Sequence, residues 1–240
     1  MKPSEEQRIS KIIQTAQERV RLSMCRSGTA AQWHLAQATK VVGKPKLLER
    51  VAPHLEGEPA KQYLAALPGL IEDTKLLDVT CGDMWNRRRS DYLVERDRLV
   101  TMLLRYEFKL RSYEKLARQP SKMPAGTAPS SNGDRPPHDE TAMRMLEQDY
   151  TKMERQLSED FQAIDKARAE LTEAHDDLVV KLVEKSVAKS AEPIEEVTAY
   201  AREGLAKAAE NFDARRGHRF AAYAQWWINT AIKEKKTWEK

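Results

Sequence analysis

The sequence predicts an all-α protein. Hydrophobic residues make up 40% of the 240 residues and charged residues 32%, which is polar for a folded protein but too apolar for complete disorder. Glycine occurs only nine times, whereas the strong helix formers Ala, Leu, Glu, Lys, Arg and Gln are abundant. No stretch of the sequence indicates an array of strands.

Hydrophobic spacing predicts helices throughout the first half of the chain. Residues 4–40 have the spacing of one or two helices. Prolines and glycines interrupt residues 43–70, so we expect short helical pieces and turns there. A stripe of Leu and Tyr then predicts one long helix from about Met84 to Ala117. An arginine run within it, at 87–89, is better explained as a solvated helix turn balanced by nearby acids.

The composition of residues 119–140 predicts a flexible, disordered linker, because this segment contains five prolines, two glycines and almost no side chains to bury. The linker divides the chain into a helical unit of unknown role at 1–118 and a helical domain at 141–240. His138 and its acidic neighbours do not suggest a metal site in so polar a stretch. Beyond the linker we expect a helix from Glu140 to Lys185, broken near His175. Two further helices are predicted, one over about 194–210 and one that starts near Phe220.

Several classes of protein are excluded or disfavoured. No apolar run is long enough to span a bilayer, and the first residues lack the apolar core of a secretory signal. Cys25 and Cys81 fit a reducing, cytoplasmic compartment and are expected to be packed rather than reactive. The sequence shows no phosphate-binding loop, nucleophile motif or zinc spacing. We therefore expect no enzyme activity, no cofactor and no metal.

The basic residues are concentrated at the C-terminus. Residues 215–240 carry a net charge of +5, whereas the first 214 residues carry −1. This asymmetry suggests contact with a polyanion, and a solubilising tail is the alternative.

An aromatic cluster lies within this basic segment. Phe220, Tyr223 and Trp227 share one face of the predicted helix, and Trp226 lies about 100° away from Trp227 around the axis. Exposed aromatic rings stack on unpaired bases while basic side chains hold phosphates. The alternative is that these rings belong to the core.

The segment from Asn211 to Ile232 resembles the part of sigma-70 family factors that recognises and melts the minus-ten promoter element. The matching residues keep the family's order and spacing: Phe212-Asp213, Arg215-Arg216-Gly217, Arg219-Phe220, Tyr223-Ala224, Trp226-Trp227-Ile228 and Ala231-Ile232. The likeness extends upstream to about residue 160. It implies a helical bundle like the second domain of sigma factors at the C-terminus, and the first 118 residues take the position of the family's variable insert and preceding helices.

The resemblance also implies partners and roles. The chain would bind core RNA polymerase and the non-template strand of the minus-ten element in promoter DNA, with no membrane contact. The residues implied in DNA binding are Arg215, Arg216, His218, Arg219, Phe220, Tyr223, Trp226, Trp227, Thr230 and Lys233. Those implied in polymerase binding are Glu196, Ala199, Tyr200 and Arg202.

Three departures from the family pattern qualify this expectation. The polymerase-docking helix lacks the usual amide and carboxylate and has Tyr200 and Arg202 instead. Thr230 cannot copy the bidentate reading of adenine by glutamine, so the base preference in duplex DNA should differ. The sequence also ends at Lys240, before the domains that read the other promoter elements. A fragment, a second chain that supplies those domains, and loss of promoter selection are the three explanations.

Two alternatives to an initiation factor follow. A polymerase-binding adaptor or decoy would keep the sigma fold without melting promoters, and could bury its aromatic residues. A helical scaffold would use the long helix after the linker to dimerise, but that helix lacks a clean heptad repeat.

Overall fold

All regular secondary structure in the described part of the chain is helical, which confirms the predicted fold class. A computed structural model of the protein describes residues 3–27, 30–87, 89–118, 140–188, 193–212 and 219–234. These residues form ten α-helices and one 3-10 turn at Pro45–Leu47. The α-helices are α1 (Pro3–Cys25), α2 (Ala30–Gly43), α3 (Leu48–Val51), α4 (Gly57–Arg87), α5 (Arg89–Leu103), α6 (Leu110–Ala117), α7 (Glu140–Glu173), α8 (Asp176–Val187), α9 (Ile194–Asn211) and α10 (Phe220–Glu234).

The chain divides into two compact units. One contains residues 1–16 and 161–240, and the other contains residues 17–160. Helices α1 and α7 each contribute residues to both units. The linker predicted over 119–140 lies outside the described residues except for Glu140, so the division into 1–118, linker and 141–240 stays a prediction.

Two helix predictions in the first half of the chain are wrong. Helix α4 begins at Gly57 and continues through Pro68, although short pieces were expected up to residue 70. Buried Leu67 and Leu70 on either side of Pro68 anchor this helix, and their packing offsets the missing hydrogen bond. The single helix expected from Met84 to Ala117 is instead three segments, α4, α5 and α6.

The chain leaves the helical conformation between α5 and α6 because this turn buries two aromatic rings. Tyr106 and Phe108 are 0% and 2% exposed, and their ring centroids lie 5.5 Å apart. Arg21 donates hydrogen bonds to the carbonyl oxygens of Leu104 and Tyr106, the latter at 2.8 Å. These side-chain contacts satisfy backbone groups that a continuous helix would have satisfied itself.

His34 lies at the centre of the aromatic cluster in the 17–160 unit. Its Nδ1 is 2.7 Å from the Ala30 carbonyl oxygen, and its Nε2 is 3.0 Å from the Tyr113 hydroxyl. Burial lowers the pKa of His34 to about 4. Cys25 lies 3.8 Å from the same ring, and burial raises the pKa of its thiol to about 12. Both groups are therefore neutral packing elements at neutral pH.

The predicted break near His175 is confirmed. Helix α7 ends at Glu173 and α8 begins at Asp176, with His175 buried between them. The Nδ1 atom of His175 lies 2.8 Å from the Leu171 carbonyl oxygen, which satisfies an acceptor that the end of α7 leaves open.

Candidate nucleic-acid interface

Helices α9 and α10 pack closely and form the framework of the site. Gly204 makes this possible, since a Cβ atom there would lie 2.8 Å from the Ile228 Cα and 2.9 Å from the Trp227 carbonyl oxygen. Alanines at 201, 208, 224 and 231 are buried in the same unit, so both helices have small side chains on their buried faces. The short distance between backbones fixes the orientation of α10, and with it the direction of every side chain on that helix.

Phe220 is a core residue. It is fully buried, and its ring makes edge contacts with His175 and Phe212 at centroid distances of 4.9 and 5.2 Å. A ring enclosed in this way cannot stack on a base unless the domain opens. Among the aromatic residues predicted to bind DNA, Phe220 therefore lies in the core, and its role in DNA binding stays a prediction.

The other three aromatic residues, Tyr223, Trp227 and Trp226, are all partly or largely exposed to solvent. Tyr223 and Trp227 are partly buried against the core, with ring centroids 6.2 Å apart. The Tyr223 hydroxyl donates a hydrogen bond to the Asn211 carbonyl oxygen at 3.4 Å. Trp226 is 60% exposed and stands at 87° to the Trp227 ring, 5.2 Å away. The Trp227 ring thus packs against the Trp226 ring in a perpendicular arrangement. The exposed part of Trp226 leaves a surface on which a base could stack.

Polar and basic residues lie on α10 and directly before it. The Arg219 side chain is 64% exposed, and Lys233 is exposed near the end of α10. Thr230 is half-buried and donates its hydroxyl to the Trp226 carbonyl oxygen at 2.8 Å, so the hydroxyl is bonded within its own helix and is not directed towards a ligand. The predicted residues Arg215, Arg216 and His218 lie outside the described residues.

Glu6 belongs to the site although the sequence did not indicate it. This buried carboxylate of α1 accepts a hydrogen bond from the Phe220 backbone N–H, and its second oxygen lies 3.9 Å from the Arg219 guanidinium. A carboxylate at this position satisfies an open donor and opposes the positive end of the α10 dipole. Ile9 and Ile13 of α1 are also buried in the same core as Phe220. The contact joins residues more than 200 positions apart, so no local sequence signal could have identified it.

The residues predicted to bind polymerase lie on α9. Glu196 and Ala199 are exposed, and Tyr200 is partly exposed. The Arg202 guanidinium lies 3.7 Å from the Asp176 carboxylate of α8, both of them at the surface. The structure therefore brings the four predicted residues together near the start and middle of one helix, and one of them already has an acidic neighbour.

Residues 171–237 match the family model described as Sigma-70 region 2, so the chain carries a sigma-70 region 2 domain at these positions. This confirms the resemblance identified from the sequence for that part of the chain, and the family is non-enzymatic. A curated relative is the RNA polymerase sigma factor RpoS of Coxiella burnetii, 40% identical over 67 residues. The match covers 28% of this chain and 19% of that protein, so the chain spans only about a fifth of the length of this relative.

No helix among the described residues is long and apolar enough to cross a membrane. No group of His, Cys, Asp and Glu side chains in the same residues has the arrangement of a metal site.

Proposed function

We propose that this protein is a sigma-like transcription initiation factor. Its region 2 domain binds core RNA polymerase through α9 and captures the non-template strand of the minus-ten element through α10. The region 2 match supports the coarse role, since the matched domain is that of sigma factors. The observation that carries the finer role is the exposed Trp226 ring, which packs against Trp227 on the helix that the exposed Arg219 directly precedes.

The aromatic residues divide their roles by exposure. Trp226, with the partly exposed Trp227 and Tyr223, offers the surface on which an unpaired base stacks. Phe220 holds the helix in place from the core. Arg219 and Lys233 neutralise phosphates of the captured strand. Removing a base from the duplex costs a few kcal/mol, and stacking of about 1–3 kcal/mol per base offsets this cost together with the phosphate contacts.

The test combines binding to core RNA polymerase with permanganate footprinting of promoter DNA, which detects unpaired thymines. The full chain is expected to bind the polymerase and to expose thymines of the minus-ten element. Trp226→Ala should abolish this reactivity while polymerase binding and the free energy of unfolding stay unchanged. Gln225→Ala is the matched control, because Gln225 is an exposed neighbour on the same helix. Thymine reactivity that is unaffected by Trp226→Ala would refute the assigned role of the ring.

The burial of Phe220 favours one second candidate, a polymerase-binding adaptor or decoy that keeps the fold without melting promoters. The same experiment separates the two functions. Polymerase binding without reactive thymines, together with inhibition of initiation by other factors, would establish the adaptor.

A further inference from the structure

We infer that the 17–160 unit contains a binding site for a small phosphorylated molecule. A pocket of about 330 Å³ opens between side chains from α1, α5 and α7. Four of its lining residues are basic and one is acidic: Arg19, Arg26, Arg96, Lys152 and Asp149. The pocket lies in the unit that does not contain the region 2 domain, so the inference is independent of the proposed function.

Two of the four cations are compensated by carboxylates. The Arg19 Nε atom lies 2.6 Å from the fully buried Asp160 carboxylate. The Arg96 guanidinium lies 3.4 Å from the Asp149 carboxylate and 3.6 Å from that of Asp97. These acids hold the two guanidinium groups in the wall of the pocket and leave part of their donor capacity unused, because a guanidinium carries five N–H donors.

The other two cations, Arg26 and Lys152, are exposed and have no carboxylate partner among the described residues. They come from different parts of the chain, Arg26 from the turn directly after α1 and Lys152 from α7, and both line the pocket. Two uncompensated positive charges that converge from separate elements on one concavity favour an anion there. Arginine and lysine together are the residues that proteins use to hold phosphate groups.

Arg96 provides a second, independent observation. Its side chain is only 13% exposed, and its Nε atom is buried without a hydrogen-bond partner in the described part of the chain. A buried donor without a partner is costly, so the protein's own groups leave this guanidinium incompletely hydrogen-bonded. The guanidinium is thus positioned in the wall of the pocket without being fully satisfied by the fold.

The size and lining of the pocket indicate more than a free phosphate ion. A volume of about 330 Å³ lies at the lower end of the range for small-molecule sites. Leu22 and Met153 give the wall an apolar part next to the basic residues. A nucleotide-sized molecule that carries a diphosphate fits this combination, since its phosphates meet the cations and its organic part meets the apolar wall.

Calorimetric titration of the full chain with ADP and with inorganic pyrophosphate tests the inference. We expect saturable binding of one equivalent of ADP, and weaker binding of pyrophosphate if the apolar wall contributes. The double variant Arg26→Gln/Lys152→Gln should weaken ADP binding about tenfold or more, because two charge-assisted contacts are lost. Both side chains are exposed, so the fold should tolerate the changes.

The matched control replaces Arg155 and Lys61 with glutamine. These are exposed cations with acidic neighbours, at 3.0 and 3.3 Å respectively, and neither lines the pocket. The control should bind ADP as the unmodified chain does. Absence of saturable binding to the unmodified chain, or an equal loss in the control, would overturn the inference. Pyrophosphate binding as tight as that of ADP would assign the site to the diphosphate group alone.

Discussion

Replacing Gly204 with alanine tests whether close packing of α9 on α10 holds α10, the proposed DNA-binding helix, in place. The added Cβ atom would lie 2.8 Å from the Ile228 Cα, 2.9 Å from the Trp227 carbonyl oxygen and 3.0 Å from the Ala231 Cβ. Ordinary contacts of this kind begin near 3.4 Å, so the new atom overlaps its neighbours by several tenths of an ångström. Two of these neighbours are backbone atoms, which cannot move aside by a change of rotamer.

Two opposing effects decide how much Gly204→Ala changes the free energy of unfolding. In an open helix, glycine to alanine stabilises the folded state by about 0.5–1 kcal/mol. Overpacking of a well-filled interior costs about 1–3 kcal/mol, and contact with backbone places the cost towards the upper end. We therefore expect Gly204→Ala to lower the free energy of unfolding by about 2 kcal/mol.

Urea unfolding followed by circular dichroism measures this change, and Gly69→Ala is the matched control. Gly69 also lies within a helix, α4, but a Cβ atom there would meet nothing within 4 Å. The control should be unchanged or slightly more stable. Binding of single-stranded minus-ten DNA by Gly204→Ala should also weaken, because α10 must shift. If Gly204→Ala stabilises the protein as much as Gly69→Ala does, the reasoning about the helix contact is wrong.

Three further predictions concern buried groups. Glu6→Ala should cost about 1–3 kcal/mol of unfolding free energy in urea, because the Phe220 N–H loses its acceptor, while Lys11→Ala on the exposed side of α1 should cost little. His34 should titrate in proton NMR with a midpoint near pH 4, and a midpoint near 6.5 would contradict its burial. Since its pKa is lower in the folded state, stability should fall by about 3 kcal/mol as the pH drops from about 6.5 to 4. The Cys25 thiol should react with Ellman's reagent only after unfolding, because burial raises its pKa to about 12.

Local patterns predicted the helices of the C-terminal domain well. The α9 helix, the break at His175 and the start of α10 at Phe220 all follow from side-chain spacing and from the residues next to the breaks. Local patterns wrongly predicted a helix break near residue 68, where α4 continues, and a continuous helix over residues 104–109, where the chain is not helical. There, buried side chains decide whether the backbone stays helical, and propensity alone does not report burial.

The helical class, the basic C-terminal segment and the order of aromatic residues that resembles sigma-70 region 2 can all be predicted from the amino-acid sequence alone. The sequence could not predict which of those aromatic residues are exposed to solvent. Helical spacing places Phe220, Tyr223 and Trp227 on one face of the helix, and it does so whether that face is buried or exposed. Only the tertiary structure buries Phe220, exposes Trp226 and brings Glu6 to the start of α10. The physical reason is that burial and long-range hydrogen bonds depend on which helices pack together, and that packing joins residues far apart in the chain.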